Sequence, residues 1–169
     1  MRKFIIFASI FFLNAFFISG VIYGLDLAEG FWLNIDRRGN ATEGWEVYSI
    51  EGMLHGKILS LTGHPQDVKA SKCNDNYPNF PISGKVSEMY VVGTPWIFGL
   101  TQNSPGVWSG GHIVDPVNGK MYRCRITYHP QDGNKYKTAT LEVRGEIGLG
   151  LGMSQFWRKS SREEALSLR

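Results

Sequence analysis

The residues able to do chemistry are few: four histidines (His55, His64, His112, His129), two cysteines (Cys73, Cys124), Asp115 inside a tight motif, and Ser154 beside a glycine series. No pair of histidines has metal-ligand spacing, and two cysteines without a neighbouring histidine do not make a zinc site. His55 alternates with Lys57 on a strand face that reads as solvated, while His64 and His129 each precede a proline in a turn. Asp132 and Asn134 begin like a calcium loop, but Val143 stands where the closing acid belongs. Ser154 lacks a Gly-x-Ser-x-Gly elbow. Gly148, Gly150 and Gly152 have no helix after them to form a phosphate cradle, so they mark a bend or bulge in the last strands. Asp115 reads as the cap of its own turn. These residues predict no catalysis, no metal and no cofactor.

The cysteines have a different use if the chain is exported. Arg2 and Lys3 precede a run from residue 4 to 23 without a charge, and Ser19, Gly20 and Gly24 follow the apolar centre. That is the order of a secretory signal, predicted over 1–24 with cleavage between Gly20 and Ala28. An uncleaved anchor is the alternative, and both readings put the domain in the periplasm or outside the cell. After cleavage no membrane span remains. In an oxidising compartment Cys73 and Cys124 are expected to bridge, worth about 4 kcal/mol by chain entropy. The charge count is 18 basic against 15 acidic residues, or +3. Arg2 and Lys3 supply most of that excess, so the body is nearly neutral and carries no footprint for nucleic acid.

The elements that would position these residues are short runs broken by turn residues about every ten positions, an all-β signal. Strands are expected over 30–35, 45–50, 53–61, 85–92, 96–101, 107–114, 120–128, 136–146 and 153–159, eight or nine in all. Residues 62–84 hold Pro65, Pro78, Pro81 and the Asn74-Asp75-Asn76 cluster, and read as a long loop. Ser161 with Glu164 three residues on is a capping box, so a short helix is expected in the polar tail 161–169. Almost every connection is short and the edges must be hidden. The expected fold is therefore a single antiparallel up-and-down β-barrel over 25–160.

The aromatic residues fit two readings. Trp45, Tyr48, Trp96, Phe98 and Trp108 could fill a packed core, or could line a cavity holding one small apolar ligand of the fatty-acid kind.

The run from Trp108 through Gly110-Gly111, Asp115-Pro116-Val117-Asn118-Gly119-Lys120 and Tyr122 to Cys124 resembles the central motif of a secreted bacterial family, domain of unknown function 2147. Gly30-Phe31-Trp32 is similar to its opening, and Arg144-Gly145-Glu146 with Gln155-Phe156-Trp157 to its close. Met153 and Lys159 depart from the arginines many members carry. The resemblance implies a lipocalin-like (calycin-like) barrel whose floor is Trp32 covered by a basic side chain, either Arg158 or Lys159. The expected function is an extracytoplasmic carrier or sensor of a small hydrophobic ligand. A filled-barrel interaction module ranks second, and a barrel enzyme third.

Overall fold

A computed structural model describes residues 27–169; the predicted signal lies outside the described residues. Eight strands close into one antiparallel barrel in chain order: β1 Gly30–Ile35, β2 Ala41–Ile50, β3 Met53–Leu61, β4 Pro95–Ser104, β5 Val107–Val114, β6 Met121–His129, β7 Thr140–Gly148 and β8 Leu151–Ser160. β8 pairs back onto β1, with Phe31 opposite Ser160 and Asn34 opposite Trp157, so no edge is left exposed. Two-residue turns at Glu51-Gly52 and Leu149-Gly150 have positive φ at both positions, the geometry that suits a twisted hairpin.

Alternation sets what faces the axis. Trp32 of β1 meets Tyr128 of β6 with ring centroids 6.5 Å apart. These strands are not neighbours in the sheet, so both rings point inward. Following the register from there, Trp45, Val47, Leu54, Ile58, Ile97, Leu100, Trp108, Ile126, Leu141, Val143 and Trp157 face the axis, all buried. Trp45 stacks on Trp157 at 4.5 Å. These side chains are nearly fully buried in one apolar cluster, so the middle of the barrel is a packed core.

Two covers lie on the outer wall. The helix α1, Arg162–Leu166, packs across β1, β2 and β3. Ser161 caps it by accepting from the Glu164 amide at 3.1 Å, as its capping box predicts. The Ser60 hydroxyl donates to the Ala165 carbonyl at 2.6 Å, and Glu164 pairs with Arg158. The second cover is the 62–94 segment, which buries the outer face of β4 and β5.

Three expectations about elements change. Residues 85–92 are not a strand: they hold a short 3-10 turn, Val86–Glu88, and meet strand-like partners only at Tyr90 and Val92. Their apolar alternation reflects packing on the wall, and the count is eight. β7 starts at Thr140, since Asp132 spends its carboxylate on the Asn134 and Tyr136 amides and holds 132–136 as a turn. The Cys73–Cys124 bridge is absent, and both thiols are free and buried. Cys73 lies against the Pro116 carbonyl in the β5–β6 turn, while Cys124 points inward from β6. Cys124 stands four positions along the chain from Lys120 at the end of that turn, roughly 14 Å, beyond the Cα spacing a disulfide spans.

Candidate functional site

The two ends of the barrel differ. At the end where β1 begins, Trp32 is fully buried and its indole donates to the Ala28 carbonyl at 2.8 Å. Lys159, not Arg158, covers it: the Lys159 ammonium stands 4.3 Å from the Trp32 ring and donates to the Glu29 carbonyl at 2.7 Å. Partial burial holds the Lys159 pKa below the usual lysine range. Arg158 faces outward to the helix. This end is a closed floor.

The opposite end is open. Gln155 and Met153 share the inward face of β8, Tyr122 that of β6, and Glu43 that of β2, yet solvent reaches all four. An inward side chain that remains wet marks a concave mouth. Glu43 is the acid set into it. One carboxylate oxygen accepts from the Trp45 indole at 2.8 Å and from the Asn34 amide at 3.1 Å. Both donors go to that one oxygen, and among the described residues the fully buried side-chain polar atom without a partner is His55 Nε2, so the second Glu43 oxygen keeps some contact with solvent. Burial pushes the Glu43 pKa up, its two donors pull it down, and the negative charge of Asp115 adds to the rise.

The five expected wall residues separate into two groups. Trp45 and Trp108 face the axis as fillers of the core. Trp96 and Phe98 point outward, because their neighbour Ile97 pairs with inward Ile113 and Gly56. They are buried beneath Phe80 of the 62–94 segment, whose ring lies 5.9 Å from Trp96 and 5.3 Å from Phe98. The Trp96 indole donates to the Val91 carbonyl at 2.7 Å. Tyr48 also points outward, stacked on His55 at 5.9 Å and capped by Lys57. That stacking buries His55, so its face is not the solvated one expected from alternation with Lys57, and burial lowers its pKa. Sequence reasoning missed Glu43 and Asn34. The strand was expected to begin at Trp45, so neither Glu43 nor its position across from Asn34 drew notice.

Elsewhere the polar groups are structural. On the outer wall Ser154 donates to Glu142 at 2.7 Å, and His129 meets the other Glu142 oxygen at 3.2 Å. The carboxylate stands between hydroxyl and imidazole, so the imidazole cannot take the serine proton. Asp115 accepts from the Val117 amide at 2.8 Å and binds the Asn118 side chain, the turn cap its motif predicts. Among the described residues no group of three or more His, Cys, Asp or Glu could hold a metal ion. A depression of about 630 Å³ in the 62–94 segment is lined by that segment alone, Tyr77 and Phe80 among its residues.

Comparison with known proteins agrees with the barrel. Residues 30–159 match the model of a family described as "Uncharacterized protein conserved in bacteria (DUF2147)". A search of curated proteins finds no match. Among solved structures, the chain superposes on a protein from Helicobacter pylori, HP1028, described as belonging to the lipocalin family. The TM-score is 0.63 at 18% identity, covering 83% of this chain and 89% of that one. The fold is lipocalin-like.

Proposed function

The chain belongs to the DUF2147 family of uncharacterized bacterial proteins, and from that premise we propose that it is an exported, non-catalytic binding protein that takes a small amphipathic ligand at the open mouth of its barrel. The observation that carries this reading is the wet, inward-facing set Glu43, Tyr122, Met153 and Gln155 above a filled core. The packed tryptophans leave no deep channel for an acyl chain, so the ligand sits high, its apolar part against Met153 and Tyr122. Its head must suit Glu43. A carboxylate head would face two acids, Glu43 and Asp115, and like charges at short range disfavour it once Glu43 is ionised. A head that donates, an alkylamine or a fatty alcohol, fits the open oxygen. The reading thus keeps the apolar tail of the fatty-acid-like ligand expected from the sequence and replaces its carboxylate head with a donor. Export rests on Arg2, Lys3 and the uncharged run after them.

Trp45 reports directly on the site, because its indole is bonded to Glu43. Titration with octylamine, octanol and octanoate below their micellar concentrations should shift tryptophan emission saturably for the first two and not for the third. Glu43→Gln should abolish the preference for the amine. The packed core favours a second reading, an interaction module that binds no small ligand. It takes precedence if none of the three probes gives a saturable change and native mass spectrometry of protein from its own host shows the bare chain mass.

A further inference from the structure

The rim of the mouth carries apolar side chains held out into water. Leu149 is 100% exposed, Met153 75%, Ile147 72%, Val117 68% and Leu151 63%. Four of these lie on the β7–β8 hairpin and the fifth on the β5–β6 turn, at the same end of the barrel. From Ile147 to Trp157 the sequence has no charged residue. Monomeric soluble proteins rarely leave so continuous an apolar group uncovered.

The hairpin is built to present it. Leu149 opens the two-residue turn with φ 48°, followed by Gly150 at 75°. Asn or Asp normally stands at the first position, since a bulky side chain is disfavoured in the left-handed region. Arg144 braces the tip from the outer wall, donating to the Gly150 carbonyl at 2.8 Å and to Glu146 at 3.1 Å. The tip therefore stands out and does not fold back over the mouth.

We propose that this lip docks on a lipid bilayer, with Leu149 and Leu151 entering the interface and Arg123 and Lys120 meeting lipid phosphates. The register supplies the height. Arg123 pairs in the sheet with Glu146, and Leu149 lies three residues beyond, roughly 10 Å along the strand. That matches the depth to which an apolar face enters the headgroup boundary, about 5–10 Å. Arg123 and Lys120 are exposed, and neither makes an ion pair among the described residues. An apolar tip with Arg123 one insertion depth behind it, and with Lys120 beside Leu149 where the same register is extended, has the charge order of an anionic membrane surface. The mouth then opens toward the bilayer, whatever it binds.

The test uses the full chain carrying Leu149→Trp, on vesicles of phosphatidylethanolamine and phosphatidylglycerol whose acyl chains are brominated. All five native tryptophans are buried in the barrel or under its cover, so they are shielded from the bromines. The added indole should shift to the blue and be quenched. Adding Arg123→Gln should raise the vesicle concentration for half-quenching about fivefold, with high salt erasing the difference. Matching circular dichroism spectra show that each variant folds. The proposal is overturned if the added indole stays unquenched on vesicles that hold the protein, or if the protein binds no vesicles. A doubled solution mass that Leu149→Asp abolishes also overturns it, reassigning the lip to a second copy of this chain.

Discussion

Gly44 has no side chain because the C-terminal helix occupies its space. A Cβ there would lie 1.8 Å from the Ala165 carbonyl oxygen and 2.8 Å from the Ser60 hydroxyl. An ordinary carbon–oxygen contact is about 3.3 Å, so Gly44→Ala must push the helix out by more than 1 Å or release it. Gly44 has no positive φ, so the backbone itself tolerates alanine and the whole cost comes from the contact. Release breaks the Ser60–Ala165 bond, leaving a hydroxyl that was fully buried, and uncovers Leu33 on the same wall. A lost buried hydrogen bond costs about 1–3 kcal/mol, and partial exposure of a leucine adds roughly 1–2. The expected destabilisation is about 3–4 kcal/mol, or a drop of roughly 10 °C in Tm for a domain of this size. Thermal unfolding followed by circular dichroism measures it, and trypsin should cut at Arg162 much faster in the variant. In a chain ending at Ser160 the same substitution should cost less than about 0.5 kcal/mol, since its partner is gone. A native melting temperature in Gly44→Ala, or a full cost that persists without the helix, would refute the docking argument.

Three further outcomes follow from the same geometry. The Glu43 pKa is raised in the folded state, so the native protein keeps that proton to higher pH than the unfolded chain does. Stability from this group is then greatest below the ordinary glutamate range and falls as pH rises through the raised value; Glu43→Gln should remove that fall in urea midpoints measured across pH. Burial pushes both thiols up, so Cys73 and Cys124 should resist alkylation in the native protein, and both should alkylate after unfolding without reductant. Removal of the ammonium over Trp32 by Lys159→Met should cost about 1–2 kcal/mol in chemical denaturation, while Lys159→Arg should recover part of it.

The strands from β1 to β3, the β5–β6 motif and the capping box were legible because their signals are local: alternation, turn chemistry and a side chain that reaches its own helix. What could not be read was which face of β4 is inside. Trp96, Ile97 and Phe98 are all buried, Ile97 by the core and the other two by the 62–94 segment. Alternation loses its meaning when both faces are covered. The same cover gave 85–92 a strand-like pattern. Glu43 was hidden for another reason: with a strand expected only from Trp45 it stood outside any element, and only closure of the sheet turns its face toward the axis.

The seam between β1 and β8 also fixes the order of assembly. Lys159 reaches a carbonyl 130 residues earlier, and the floor exists only once that contact forms. Every other strand pair joins neighbours in sequence, so hairpins can form one after another as the chain is delivered. The seam must wait for the last strand, and until then β1 and β8 both present unpaired edges. Contacts of such long range form slowly because loop closure precedes any gain from pairing. The interval before closure is therefore when the chain is most open to pairing with another copy, and the rate of closing this one seam should govern its yield.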